Sequence, residues 1–188
     1  MKPKLFIVTG SDFKFHDLSY KLKDFFDCEQ RPWDEHEIQG EPGEIITDKV
    51  KKAYKKFGGA VLVDDVSVYF EFLNGFPGPY MKDFFNVMTP YEMGHKFSGT
   101  RIKAVCRLAL CRGEDDIIMG VGEFNGVIVA PKEKDHKGRW FELFVKLDGT
   151  DKIMLELTDE ERNKHSHRGK AMENLLELLK KENHGSKS

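Results

Sequence analysis

A chain of 188 residues is long enough for one medium domain with its own core, and 39% hydrophobic with 33% charged residues is ordinary for a folded globular protein. That balance excludes a disordered chain and a membrane-embedded one, since no apolar run reaches transmembrane length. A formal net charge of -2 gives no general drive toward nucleic acid or anionic lipid, so any polyanion must be met by a local cluster of Lys and Arg.

In chain order, Leu5 to Thr9 predicts a buried first strand that ends in Gly10-Ser11. Asp12 to Asp27 shows helical spacing, with Phe15, Leu18, Leu22, Phe25 and Phe26 on one face and Ser11 or Asp12 as the cap. Glu29 to Pro42 is polar and irregular. Glu44 to Phe57 predicts a second helix, closed by Gly58-Gly59. Ala60 to Val63 is an apolar strand that runs into Asp64 and Asp65, and Val66 to Leu73 alternates like another strand. The loop Asn74-Gly75-Phe76-Pro77-Gly78-Pro79 precedes short helices over Tyr80 to Met88 and Tyr91 to Phe97. From Arg101 the pattern turns to β, with strands over Ile102 to Cys111, Ile117 to Phe124 and Gly126 to Ala130, and turns at Gly113 and Asn125-Gly126. Lys132 to Arg139 is a polar loop and Phe141 to Val145 an apolar stretch of open type. A helical turn at Thr158 to Asn163 leads into an amphipathic helix over Ser166 to Glu182, with Ala171, Leu175, Leu178 and Leu179 inward and a frayed tail over 183–188. The order is that of a mixed α/β or α+β fold on a mixed sheet, in a single domain spanning 1–188.

Cys28, Cys106 and Cys111 lack metal-ligand spacing, and an odd number argues against a disulfide framework; Cys106 and Cys111 lie in an apolar run and read as core. The apolar start is too short for a signal peptide. Together these point to a reducing, cytosolic compartment.

Four constellations carry chemistry. Thr9-Gly10-Ser11, with Lys14 on the first helical turn, offers backbone N–H groups, a helix dipole and a full charge to an anion, although it is neither a Walker loop nor a dinucleotide fingerprint. Asp64 and Asp65 end a buried strand, where one of them can hold a divalent metal or orient a water, or simply cap a turn. Glu37 or Glu41 can complete a hard oxygen-ligand set, or belong to a solvated acidic loop. His167 and Arg168 open the last helix, where positive charge opposes the dipole; they either face an acceptor on a ligand or are exposed.

Taken together, VTG with Lys14, QGEP at Gln39 to Pro42, LVDD at Leu62 to Asp65, NGFPGPYMK at Asn74 to Lys82, GVIVAP at Gly126 to Pro131 and NKHSHR at Asn163 to Arg168 resemble the inosine triphosphate pyrophosphatase family, in that family's order and over nearly the whole chain. The resemblance implies a Maf/ITPase-like α/β fold, a twisted mixed sheet with flanking helices and two lobes around a nucleotide cleft. It implies hydrolysis of ITP, dITP and XTP to monophosphate and pyrophosphate with Mg2+, Mn2+ being a substitute. A cytoplasmic homodimer is also implied, with no polymeric nucleic acid and no membrane as partner. Carried over by motif, Thr9, Ser11, Lys14, Lys49 and Lys82 hold phosphate, Glu37 and Asp65 bind metal, and Asp65 helps activate water with Asp64 and Lys14 in support. Trp140, Arg162, His167 and Arg168 line the base pocket, where His167 and Arg168 can donate to a 6-keto oxygen that an adenine amino group does not offer.

Three motifs depart from the family. Ser11 stands where it usually has Asn, Val66 where Ser or Thr follows the acid pair, and Phe141-Glu142 where Asp-Pro follows the stacking aromatic. The triphosphate half of the site is thereby closer to the family than the base half. The expectation is retained pyrophosphatase activity with altered base choice; the alternatives are a catalytically weakened nucleotide-binding relative or a pyrophosphatase for another modified nucleotide.

Overall fold

The computed structural model describes residues 1–132 and 141–185. Its elements are β1 (Lys4–Ile7), α1 (Asp12–Leu22), β2 (Asp27–Gln30), α2 (Pro42–Phe57), β3 (Val61–Phe70), β4 (Pro77–Gly78), α3 (Met81–Val87), α4 (Pro90–Lys96), β5 (Arg101–Gly113), β6 (Asp116–Ile128), β7 (Val145–Leu147), α5 (Asp159–His165) and α6 (His167–Gly185). Short 3-10 turns lie at Glu71–Leu73, Phe141–Leu143 and Met154–Glu156. The sheet runs in the order β2-β1-β3-β5-β6-β7, with β4 added on β3. It is mixed: β1 pairs parallel with β2 and β3, whereas β3–β4 and β6–β7 are antiparallel. No helix among the described residues is long and apolar enough to cross a membrane.

The chain divides into two compact units. The first takes Met1–Asp65, Arg107–Val121 and the C-terminal helix from Ala171; the second takes Val66–Cys106 and Gly122–Lys170.

In the first unit, α2 begins at Pro42, two residues before the predicted Glu44, because proline at the first helical position gives up an N–H that has no helical partner there. Glu44 Oε2 turns back to accept the Glu41 N–H at 3.0 Å, so Glu41 is the cap of this helix. The buried stripe Ile46, Val50 and Ala53 packs on Val61 and Val63 of β3, on Ala109 and Cys111 of β5, and on Val8. Each large apolar side chain so buried contributes about 1.5–3 kcal/mol. Cys106 and Cys111 are fully buried, as their apolar run predicts.

The second unit has an aromatic core. Phe70, Phe85, Phe124 and Phe144 are buried with Met93, Ile128, Val145 and Met154, and Phe72 stacks on Phe97 at 3.9 Å between centroids.

Five further elements differ from the sequence reading. α1 stops at Leu22, and the chain returns as β2 through Asp27–Gln30, a polar, half-buried edge strand with no alternation to reveal it. β3 is one strand that continues through both acids, where two were expected. β6 likewise runs unbroken through Asn125-Gly126, where a turn was expected. Gly126 serves close approach instead: a Cβ there would lie 2.5 Å from the Lys146 carbonyl oxygen of the paired strand β7. α6 starts at His167, since Ser166 closes α5 and its Oγ accepts the Gly169 N–H at 3.1 Å, and the helix runs on to Gly185.

Candidate active site

The strand-to-helix turn after β1 is braced from three sides. The Thr9 hydroxyl accepts the Ser11 N–H at 3.1 Å, and the Ser11 hydroxyl caps α1 by accepting the Lys14 N–H at 3.4 Å. Gln30, on the strand the sequence did not reveal, donates to the Thr9 carbonyl and to Asp12 Oδ1, each at 3.2 Å. Thr9 is buried, and Lys14 projects from the first turn of α1.

Because β3 continues through the acids, successive side chains take opposite faces. Val61 and Val63 pack against α2, so Asp65, two residues on, continues the α2 face. Asp64 takes the other face, where Lys14 Nζ donates to its Oδ2 at 2.8 Å; the Asp64 side chain is 6% exposed. From α2, Lys49 Nζ donates to Glu37 Oε1 at 2.7 Å and to the Asp64 backbone carbonyl at 3.3 Å. Burial works against the Lys49 ammonium, but the Glu37 hydrogen bond and the charges of Glu37, Asp64 and Asp65 outweigh it and hold its pKa above that of an ordinary lysine.

Asp65 is the strained member. Its Oδ2 is shut off from solvent and has no hydrogen-bond partner among the described residues. Burial is the main cause of a pKa raised from 3.8 to about 6, with Glu37 and Asp64 adding to the rise and Lys49 and Arg107 opposing it. An orphaned buried carboxylate oxygen is costly unless something outside the protein uses it.

Arg107 is the residue sequence reasoning missed. It lies on β5, beside β3 in the sheet, and two residues before Ala109, which faces α2; alternation therefore puts it on the same face as Asp65. The available signal was a lone guanidinium inside the apolar run Ala104 to Cys111.

The second unit holds another group of predicted residues. Arg162 Nη1 donates to Glu142 Oε2 at 2.8 Å and Nη2 to the Leu157 carbonyl at 3.2 Å; the two charged side chains are only 12% and 13% exposed. His167 is buried, with its ring edge-on to Phe124 at 5.2 Å, so the reading of an exposed histidine is excluded. Arg168 is half-buried beside it. Lys82 stands exposed on the first turn of α3. Trp140 lies outside the described residues, as does most of the loop before it.

The structure thus brings Thr9, Ser11, Lys14, Glu37, Lys49, Asp64 and Asp65 into one unit, and Lys82, Arg162, His167 and Arg168 into the other. In the first unit three carboxylates, Glu37, Asp64 and Asp65, gather with three cations, Lys14, Lys49 and Arg107, around the middle of β3.

The chain belongs to the Ham1 family, whose pattern matches residues 5–178. It is 34% identical over 182 residues to an inosine triphosphate pyrophosphatase of Schizosaccharomyces pombe, covering 95% of this chain and 96% of that one. It is 31% identical over 180 residues to the protein of that name in Aspergillus fumigatus, covering 94% of each. These homologues are nucleoside triphosphate pyrophosphatases. Among solved structures, a HAM1 protein from Coxiella burnetii superposes with a TM-score of 0.79 at 22% identity, covering 96% of this chain and all of that one. A nucleoside-triphosphatase, or dITP/XTP pyrophosphatase, from Mycobacterium abscessus superposes at 0.62 and 20% identity, covering 92% and 98%. These two likenesses establish the mixed α/β fold.

Proposed function

We propose that this protein hydrolyses purine nucleoside triphosphates of the inosine and xanthosine type to the monophosphate and pyrophosphate, with a divalent cation, Mg2+ or Mn2+, in the first unit. The observation that carries the reading is Asp65: a carboxylate with a buried, unpartnered oxygen beside Glu37, Asp64, Lys14 and Lys49. Among the described residues no three His, Cys, Asp or Glu side chains already stand together as a metal cage. The donor set nevertheless fits a hard cation, because Asp65 Oδ2 has no hydrogen-bond partner among the described residues, and Lys14 and Lys49, which hold Asp64 and Glu37, can exchange a carboxylate for a phosphate.

On this reading Glu37 and Asp65 hold the cation. When bound, it neutralises part of the polyphosphate charge and polarises the phosphoryl centre. Asp65 also orients the attacking water. Before substrate binds, Asp64 keeps Lys14 in place. Thr9, Ser11, Lys14 and Lys49 receive phosphate oxygens as charge builds on the leaving pyrophosphate. Water attacks the α-phosphorus and the bond to the bridging oxygen breaks.

Arg162, His167 and Arg168, with Trp140, read the base. The Glu142–Arg162 pair supplies a carboxylate one position after the Asp that the family pattern places there, and we infer that base choice is altered accordingly. A turnover panel of ITP, XTP, GTP, ATP and dUTP with saturating Mg2+ tests both parts. Pyrophosphate from ITP or XTP with a relaxed preference against GTP is expected. Strict ITP and XTP preference defeats the altered choice, and nucleotide binding without any pyrophosphate release favours the weakened relative. We also propose a homodimer as the working form.

A further inference from the structure

We propose that Lys14 and Lys49 act as exchangeable counter-ions, competing with the divalent cation for the carboxylates and releasing them as they take up phosphate, so that metal and polyphosphate bind as a coupled pair. The inference rests on the function proposed above for the identity of the polyphosphate. One oxygen of Asp64 is held by Lys14 at 2.8 Å and one oxygen of Glu37 by Lys49 at 2.7 Å, while Asp65 Oδ2 has no hydrogen-bond partner among the described residues. A cation that recruits either of those held oxygens must displace an ammonium group.

Both lysines are placed to let go. Their side chains are 34% and 22% exposed, at the ends of flexible four-carbon stems. Charge then decides the order of events. Glu37, Asp64 and Asp65 are balanced by Lys14, Lys49 and Arg107. A metal arriving alone adds two positive charges to a balanced cluster and strips two lysines of their carboxylate partners. A polyphosphate arriving alone meets three carboxylates. Arriving together, the metal replaces the lysines on the acids and the phosphates replace the acids on the lysines. Such coupling is reciprocal, each ligand tightening the other by the same factor.

The consequence separates Lys14 and Lys49 from ordinary phosphate-binding lysines: removing either should strengthen binding of the metal alone. The test titrates Mn2+ alone, followed by loss of the free-ion EPR signal, and inorganic pyrophosphate alone in EDTA, followed by calorimetry. The proteins are wild type, Lys14→Met, Lys49→Met and Lys52→Met. Lys52 is the control, a cation on the same helix that pairs with Glu35 and Asp48 instead. Lys14→Met and Lys49→Met are expected to bind Mn2+ about fivefold more tightly or better and pyrophosphate more weakly, with Lys52→Met unchanged in both. Unchanged or weaker Mn2+ binding in both lysine variants overturns the proposal, as does the same gain in Lys52→Met or a wild type that binds no Mn2+. Pyrophosphate release from ITP by the wild type is measured alongside. Its absence, with the Mn2+ gain present, defeats the proposed function and leaves the exchange standing.

Discussion

At the scale of single residues, the division of labour between Asp64 and Asp65 follows from strand geometry. Two adjacent acids on one strand cannot serve one point, and the structure gives Asp64 to Lys14 and Asp65 to the face shared with Lys49. The residues alone showed the pair, and the split came only from the family resemblance, because it depends on whether the strand continues through the acids. Arg107 was invisible for a related reason: its importance comes from its neighbour in the sheet, not from its neighbours in the chain. Asp65 carries a stability cost that can be measured. In the unfolded chain its carboxyl ionises near 3.8, and in the folded protein near 6. Between those values the folded state keeps a proton that the unfolded state has lost, so stability falls as pH rises through the window and stays reduced above it. Asp65→Asn is therefore expected to lose turnover yet be more stable than wild type at pH 7.5 by about 1–3 kcal/mol, with the gap closing toward pH 4. Urea unfolding in EDTA across that range checks it; a destabilised variant, or a gap independent of pH, counts against the placement of Asp65.

At the scale of elements, the helices that carry strong caps were legible and the strands that rely on partners were not. α2 and α6 show their buried stripes in the sequence, as Ile45, Val50 and Ala53 and as Ala171, Leu175 and Leu179. β2 is polar and exists because β1 offers it an edge, and the unbroken β6 depends on Gly126 meeting β7. The corner between α5 and α6 is similarly tertiary. Gly169 lies so close to α5 that an added Cβ would be 1.9 Å from the Asn163 carbonyl oxygen. Arg162 is fixed at that corner by Glu142, a residue whose role no local pattern announces. Glu142→Gln leaves the Arg162 charge poorly compensated and is expected to cost about 1–3 kcal/mol. It is also expected to raise KM for ITP roughly tenfold with little change in kcat, as loss of ground-state binding does. A purely structural pair behaves differently. The exchanged double variant, Glu142→Arg with Arg162→Glu, restores stability in either case, but restores the ITP preference only if the pair is structural.

At the scale of the molecule, the sequence carried the family and the mixed α/β class, because motifs spread over nearly the whole chain are tied to that fold. It could not show how the chemistry is parcelled. The structure puts the acids and two lysines in one compact unit and Arg162, His167 and Arg168 in the other, with strands β3, β5 and β6 contributing residues to both. Ser11 and Val66 set the phosphate half apart from the family pattern that the chain resembles, and Phe141 and Glu142 the base half. The account stands or falls on which bond is broken. With ITP and saturating Mg2+, direct product analysis should find inosine monophosphate and pyrophosphate in equal amounts, with no inosine diphosphate at any time and nothing formed by Asp65→Asn. Orthophosphate and inosine diphosphate as the first products, or full turnover by Asp65→Asn, would contradict it.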